Sequence, residues 1–249
     1  MNKAMNEILK ENENKYFKTL DENFEQALNL VSREFSDEKL LELLKNGNVP
    51  QKQYAVLNLK TVTSKDVAKI LIDNLTGQDG KVREVVSLRV NEFMVQPETL
   101  EYFKSEDFYD VFLEAIVDIN GNICRNIIGA IVNLKDDATF TEYFTDKLIE
   151  KIWQLLEIIK DFDLQDGKYK VNKEVFKLYW CLEALCEFAE KVSLEKLKPI
   201  LLRTKDIRDY TIREKTAKIL AKNFADPELD SAKLELSKDE NYYVRRYFA

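Results

Sequence analysis

An acidic or amide residue followed four positions later by an arginine recurs in this chain of 249 residues. The pairs are Asp79 with Arg83, Asp209 with Arg213, and Asn241 with Arg245. Two spacers and a β-branched residue separate the members of each pair, and an amphipathic stretch follows the arginine. Because Asp and Asn favour turns, each pattern predicts the start of the second helix of a helical hairpin.

A looser copy of the pattern, Gly121–Arg125, keeps the arginine but has glycine at the turn position. Successive arginines are then 42, 88 and 32 residues apart, and the interval of 88 corresponds to two steps with a degraded copy between them. Repeats of this length are typical of α-solenoids, in which stacked helical hairpins bury a shared core.

Catalytic chemistry has little support in the sequence. The chain contains no histidine, so it lacks the base of Ser-His-Asp and Cys-His sites and a common zinc ligand. Neither glycine-rich phosphate-binding motif is present. Asp161–Gly167 is acidic, but its spacing fails the calcium-loop pattern; a surface loop is the favoured interpretation, with a binding loop as the alternative. We expect no enzymatic activity, no cofactor and no metal site.

The cysteines and the apolar pattern indicate an intracellular, soluble chain. Cys124, Cys181 and Cys186 lie in apolar, helical surroundings without CxxC spacing, which predicts reduced thiols in the core. The first residues lack the apolar segment of a secretory signal, and no apolar run reaches the length of a membrane span. We therefore expect a cytoplasmic protein without membrane contact.

Helix signals divide the chain into an amphipathic N-terminal segment, 1–35, and a repeat array, 36–249. Ser36 has the sequence context of an N-cap, and Gly47 that of a C′ glycine ending the first helix. Thr139–Glu142 has the form of a capping box.

The fourth unit of the array departs from the pattern. We expect an unusually long, irregular connection near 161–171, followed by a second helix at Asn172–Ala189. A small β-hairpin at the end of this connection is one option. In this unit Val175-Phe176-Lys177 replaces the apolar-Arg pair.

The net charge of −7 is unevenly distributed. Gln96–Asp166 contains 6 basic and 16 acidic residues, whereas Lys191–Lys222 contains 10 basic and 4 acidic residues. Solvated faces with ion pairs between repeats explain this asymmetry, and a partner-docking face is the alternative. Net acidity disfavours nucleic acid as a partner.

The repeated turn-and-arginine pattern, above all Val82-Arg83, Ile212-Arg213 and Val244-Arg245, resembles HEAT repeats over roughly 36–249. The resemblance implies an all-α, right-handed α-solenoid of about five to six hairpins, with second helices lining a concave surface. It also implies a ladder in which turn acids and helix arginines bond between neighbouring repeats. The ladder residues would be Asp79, Arg83, Arg125, Asp209, Arg213, Asn241 and Arg245.

These features predict a non-enzymatic scaffold that binds a protein partner through second-helix side chains. The candidate contact residues are Arg89, Lys177, Trp180, Lys215 and Lys218. Trp180 has two interpretations, packing against the next repeat or an exposed aromatic anchor. The alternative function is a HEAT-like DNA-binding protein or alkylated-base DNA glycosylase, although no Trp-x-x-x-Asp spacing occurs; a chromophore lyase-type protein is neither supported nor excluded.

Aromatic residues cluster in the last unit, at Tyr242, Tyr243, Tyr247 and Phe248. A terminal repeat usually has a polar outer face. Truncation, self-association through this C-terminal end and a docked partner are three open explanations.

Overall fold

The computed structural model describes residues 22, 25–31, 33–160 and 168–248, with side chains of the last range from 173 onward. The elements that it defines in this part of the chain are all helical. The α-helices are α1 (Asp37–Asn46), α2 (Val49–Asn58), α3 (Lys65–Ile72), α4 (Gly80–Met94), α5 (Pro97–Leu100), α6 (Glu106–Ala115), α7 (Gly121–Ile131), α8 (Ala138–Lys160), α9 (Lys168–Phe188), α10 (Leu194–Thr204), α11 (Tyr210–Leu220), α12 (Pro227–Leu236) and α13 (Tyr242–Arg245). Short 3₁₀ turns follow four of them, at Glu101–Phe103, Val132–Leu134, Ala189–Lys191 and Arg246–Phe248.

Consecutive helices form six hairpins in the described residues: α1/α2, α3/α4, α6/α7, α8/α9, α10/α11 and α12/α13. The second helices pack side by side in the order α2, α4, α7, α9, α11, α13, and the first helices pack in a parallel row. Each hairpin therefore contacts its neighbours rather than a distant part of the chain, as expected of a solenoid. The predicted all-α solenoid is confirmed.

Four of the second helices, α4, α7, α11 and α13, begin at the turns that the sequence pattern marks. The side chains of Asp79, Asn120, Asp209 and Asn241 are N-caps, and each accepts a hydrogen bond from the backbone N–H two residues later. Such a cap satisfies an N–H group that has no partner inside the helix. Ser36 likewise caps α1, accepting from the backbone N–H of Lys39 at 3.4 Å.

Two predicted helix signals act differently in the structure. Gly47 ends α1 in an extended conformation (φ −75°, ψ 165°) rather than the left-handed one of a C′ glycine. Glycine is needed there because a Cβ atom would lie 2.3 Å from the carbonyl oxygen of Leu43. The predicted capping box at Thr139–Glu142 is wrong: Asp137 Oδ1 accepts from the backbone N–H of Phe140 at 2.9 Å, and the helix begins at Ala138.

The fourth hairpin is longer than predicted. Helix α9 begins at Lys168, four residues before the predicted start at Asn172, so the option of a β-hairpin at 168–171 is wrong. Residues 161–167 of the predicted connection lie outside the described residues, as does most of the predicted segment 1–35, of which 25–31 are helical.

A continuous apolar core runs along the interface between the two rows of helices. Its largest aromatic cluster lies between α6, α8 and α9, where the rings of Phe140 and Phe144 stack at 5.2 Å and Phe188 contacts both. Burial of such side chains stabilises the fold by roughly 1.5–3 kcal/mol each. The described helices include none that is both long and apolar enough to cross a membrane.

Candidate partner-binding surface

Two ion pairs connect a second helix to the turn that precedes the second helix of the next hairpin. Arg83 donates from Nε and Nη2 to the two carboxylate oxygens of Asp118, at 2.8 and 3.2 Å. Arg213 binds Asp239 in the same way, at 2.6 and 3.2 Å. All four side chains are mostly buried, and bidentate pairs of this kind fix geometry as well as adding energy. We call each pair a rung.

The acids of the rungs are not the ones that the sequence predicted. Among the described contacts, Asp79 and Asp209 cap their own helices and make no bond to an arginine. The true acids, Asp118 and Asp239, lie two residues before the N-cap asparagine of the next second helix. A common Asp-x-Asn signal, Asp118-Ile-Asn120 and Asp239-Glu-Asn241, was present in the sequence.

The Asp-x-Asn turn holds its acid in place. Asp118 Oδ1 accepts from the backbone N–H of Asn120 at 2.9 Å, and Asp239 Oδ1 from that of Asn241 at 2.8 Å. The hydrogen bond from Arg213 lowers the pKa of Asp239 below its usual range. Each rung therefore joins an arginine to an acceptor that its own turn holds in position.

The rung arginines also bind the loop that precedes their own helix. Nη1 of Arg213 donates to the carbonyl oxygens of Ile207 and Arg208, at 3.0 and 2.7 Å. Arg83 makes the equivalent bond to the Gln78 carbonyl. Arg125, the predicted ladder residue of the third unit, instead donates to Asn122 and lies 5.9 Å from the Trp180 ring centre.

The five predicted contact residues all lie on second helices, and two of them, Arg89 on α4 and Lys177 on α9, are held in position by neighbouring groups. Arg89 donates from Nη2 to the Leu59 carbonyl at 2.6 Å, with its guanidinium 4.5 Å from the Phe93 ring centre. Lys177 pairs with Glu174 at 2.9 Å. The side chain of each is about one-fifth to one-quarter exposed.

Lys215 and Lys218 form a charged network between α9 and α11. Their Nζ atoms lie 3.0 and 3.1 Å from the two carboxylate oxygens of Glu183, and Lys215 lies 4.5 Å from the Tyr179 ring centre. Burial alone would raise the pKa of Glu183, but the hydrogen bonds and charges of both lysines outweigh it, so the pKa is lowered. The network holds the two helices together.

Trp180 lies inside the junction between α7 and α9. It is 6% exposed, and its ring contacts Tyr179 and Phe176 edge to face. Gly121 makes room for it, since a Cβ atom there would lie 3.0 Å from Trp180 Cζ2. The side chain therefore packs against the preceding repeat, whereas the sequence interpretation placed it against the next one.

Ion pairs within the chain occupy most of the basic segment Lys191–Lys222. In the described residues eight of its cations are paired: Lys191, Lys196, Lys198, Lys205, Arg213, Lys215, Lys218 and Lys222. Lys191–Asp136 (3.3 Å) and Lys196–Asp146 (2.6 Å) join the basic segment directly to the acidic one. Ion pairs between repeats thus account for much of the charge asymmetry.

A groove of about 560 Å³ lies on the opposite, first-helix side, between α6 and α8. Its lining includes Glu106, Glu142 and Glu150, beside Tyr109 and Tyr143. The groove is therefore mainly acidic, with Lys147 as a cation in its lining.

The cysteines are buried and free of disulfides, as predicted. Burial raises the pKa of each thiol, Cys124, Cys181 and Cys186, to about 12. Within the described residues no group of three or more acidic or cysteine side chains is arranged to hold a metal ion.

The fold and its junctions define the chain as an α-solenoid repeat protein. No protein-family model matches it, and no curated protein matches it. Among solved structures, two engineered proteins are similar to it. The first is 14% identical, with a TM-score of 0.47, and the match covers 86% of this chain and 94% of the engineered protein. The second is 18% identical, with a TM-score of 0.46, and the match covers 86% of this chain and 96% of the engineered protein. A designed armadillo repeat protein is 12% identical, with a TM-score of 0.43, and the match covers 84% of this chain and 95% of the designed protein. Because these scores and identities are low, the solenoid class rests on the helix order and packing of this chain.

Proposed function

We propose that this chain is a non-enzymatic, HEAT-like scaffold that binds a protein partner along its second-helix face. The observation that carries this proposal is the uninterrupted row of second helices from α2 to α13. A row of this kind presents side chains from successive repeats on one extended surface, which suits a long partner segment.

Three of the predicted residues, Arg89, Lys177 and Lys218, are suited to direct contact. Each keeps part of its side chain exposed while neighbouring carboxylates or a carbonyl hold it in position. Holding a long side chain in advance reduces the entropy lost on binding. Because each of them is paired with a carboxylate, it would contribute hydrogen bonds and contact area rather than free positive charge.

Lys215 and Trp180 have a supporting role in this proposal. Both are less than one-tenth exposed, so a partner does not reach them in this arrangement of helices. Lys215 fixes Glu183, which in turn holds Lys218, and Trp180 sets the spacing of α7 and α9.

The test is affinity capture from source-cell extract with quantitative mass spectrometry, followed by titration with the identified partner. Removing two face cations, Lys177→Gln with Lys218→Gln, is expected to weaken binding at least about tenfold, given roughly 1.4 kcal/mol per tenfold change. Lys147→Gln is the matched control, because Lys147 pairs with Glu150 at the same helical spacing but lies on a first helix. It should leave binding unchanged.

Two outcomes contradict the proposal. One is the absence of any stoichiometric partner. The other is loss of binding on Glu142→Lys, in the acidic groove, with no effect of the face variants. The DNA alternative gains no support from the structure, because the cations of Lys191–Lys222 that it would use are mostly paired within the chain.

A further inference from the structure

Tyr109 lines the acidic groove between α6 and α8 with a free hydroxyl group. The residue is only 3% exposed, and its ring centre lies 4.9 Å from that of Phe140 and 5.6 Å from that of Tyr143. The hydroxyl makes no hydrogen bond within the described residues and is not enclosed by them, so it opens into the groove. Because buried tyrosine hydroxyls usually have a partner, this one is a group that a ligand in the groove can bind.

The neighbouring Tyr143 shows the usual state of such a group. Its hydroxyl donates to Oδ1 of Asp110 at 2.6 Å. At Tyr109, burial and then the charges of Asp137 and Glu106 raise the pKa of the hydroxyl. The Tyr109 hydroxyl is therefore protonated at neutral pH, and its oxygen can accept a hydrogen bond from an N–H group.

Four carboxylates line both walls of the groove: Glu106 on α6, and Glu142, Asp146 and Glu150 on α8. Asp146 and Glu150 each bind one lysine through one oxygen atom. Glu106 and Glu142 make no ion pair in the part of the chain that the structure describes. Each wall of the groove thus presents an unpaired carboxylate.

This arrangement suits an elongated organic cation better than a metal ion. Among the described residues, no three acidic side chains converge as a metal site requires. The α8 carboxylates instead extend from Glu142 to Glu150, about 12 Å along the helix axis at 1.5 Å per residue. The volume of the groove, about 560 Å³, is within the range of small-molecule sites.

A peptide segment matches these walls less well than a small cation does. Both walls are α-helices, whose backbone groups beyond the first turn bond within the helix. They therefore offer side chains, but no row of N–H and C=O groups for an extended main chain. The unpaired side-chain groups of Glu106, Glu142 and Tyr109 can all accept hydrogen bonds, so they suit a ligand rich in N–H donors.

We propose that the groove between α6 and α8 binds a linear aliphatic polyamine. One ammonium group donates to the Tyr109 hydroxyl and pairs with Glu106, and a second ammonium group pairs with Glu142 on the opposite wall. The methylene chain between them packs on the partly exposed ring of Tyr143. Because the groove lies on the first-helix side, its occupancy does not depend on a partner bound to the second-helix face.

Isothermal titration calorimetry of the full chain with spermidine tests the site. We expect one spermidine bound per chain. Tyr109→Phe removes only the hydroxyl and should weaken binding about tenfold, as expected for the loss of one hydrogen bond to a charged group. Glu106→Gln and Glu142→Gln should each weaken binding at least about tenfold. Unchanged affinity in Tyr109→Phe, or no binding by the wild-type chain, would overturn the proposal.

Two matched controls separate the site from general effects of charge and shape. Glu114→Gln removes a carboxylate from the same helix, α6, but Glu114 lines a different cavity, so the affinity should be unchanged. Tyr143→Phe removes a hydroxyl that is already bonded to Asp110, and it should not weaken binding. Equal weakening by Glu114→Gln and Glu142→Gln would reduce the effect to net charge and overturn the site.

Competing titrations identify the class of ligand. At equal ionic strength, Mg²⁺ should not displace spermidine, and full displacement would show unspecific ion binding and overturn the proposal. A short arginine peptide that binds more tightly than spermidine, with the same dependence on Tyr109, would assign the groove to a protein segment and also overturn it. Lys177→Gln with Lys218→Gln should leave spermidine binding unchanged, so this test is independent of the proposed scaffold function.

Discussion

The α4/α7 and α7/α9 junctions join consecutive second helices by different chemistry. At α4/α7 the bidentate pair of Arg83 and Asp118 connects the repeats. At α7/α9 the indole of Trp180 packs against Gly121, and Arg125 faces an aromatic ring. The same stacking of hairpins is thus maintained by a directed charge contact in one place and by shape in the other.

The difference follows from what each junction requires locally. A rung needs an acid fixed by its turn, and the Asp-x-Asn sequence supplies it through the bond from Asn120 N–H to Asp118. The aromatic junction needs space, and Gly121 supplies it where the corresponding positions of later units have Tyr210 and Tyr242. Close-packed rings are sensitive to changes of even one methyl group, whereas a rung depends on the hydrogen bonds of a single charged pair. Mutations should therefore affect the two junctions unequally.

The largest expected effect is at the aromatic junction. Trp180→Ala leaves a cavity between α7 and α9 and should lower the free energy of unfolding by about 3–5 kcal/mol. Urea unfolding followed by circular dichroism measures it. Tyr242→Ala removes an aromatic side chain that is 62% exposed and should change stability by less than about 0.5 kcal/mol. Similar losses in both variants would show that the Trp180 ring is not packed between the repeats.

The rung should be worth less than the aromatic contact. Arg213→Gln leaves the nearly buried Asp239 without its charged partner, at a cost of about 1.5–3 kcal/mol. A double-mutant cycle with Asp239→Asn isolates the coupling between the two side chains. The same cycle at Arg83 and Asp118 should give a coupling of the same sign. Additive losses at both sites would mean that the rungs do not stabilise the junctions.

The sequence predicted the contacts between residues close together in the chain, but not those between residues of different hairpins. Asp79, Asp209 and Asn241 were predicted to mark the starts of second helices, because a turn and the helix after it involve only neighbouring residues. The rung acid lies in the next hairpin, 35 residues from Arg83, and helix periodicity carries no information on such a pairing. The Asp-x-Asn signal becomes meaningful only once the structure places it opposite an arginine.

The predicted contact residues show the same limit. Lys215 and Lys218 were recognised as second-helix cations, but Glu183, which binds both, lies in another unit. Similarly, the sequence did not show that Trp180 packs against Gly121, because the first helix of the fourth hairpin and the connection after it lie between the two residues. Residue type and helix face were predictable, whereas the partner across a repeat junction was not.

A smaller effect should come from filling the space at the aromatic junction. The Cβ atom of Gly121→Ala would lie 3.0 Å from Trp180 Cζ2, and overpacking of this kind costs about 1–3 kcal/mol. In the Trp180→Ala background the same change should cost much less, because the ring is gone. Equal costs in both backgrounds would point to the helix start itself rather than to the junction. Thermal unfolding of the four proteins distinguishes these results.

The charged network between α9 and α11 should be sensitive to pH. The pKa of Glu183 is lowered in the fold, so its contribution to stability is present above its ordinary pKa, about 4.3, and is lost as pH falls through the folded pKa. Glu183→Gln should cost about 1.5–3 kcal/mol near pH 7. That difference from wild type should shrink below about pH 4. A difference independent of pH in urea titrations would exclude ionised Glu183 as the source, and Glu187→Gln, at a more exposed position, is the control.

Thiol labelling gives the smallest expected signal and reports on each junction separately. With each thiol pKa near 12, little thiolate forms at pH 8 and a disulfide reagent should react slowly with the native chain. Cys124 and Cys181 lie close enough to influence each other's ionisation at the aromatic junction, whereas Cys186 donates to the Lys215 carbonyl of α11. Trp180→Ala should therefore accelerate labelling of Cys124 and Cys181 more than that of Cys186, as measured by peptide mass spectrometry. Uniform acceleration of all three would mean that the chain opens as a whole, and that its junctions are not independent.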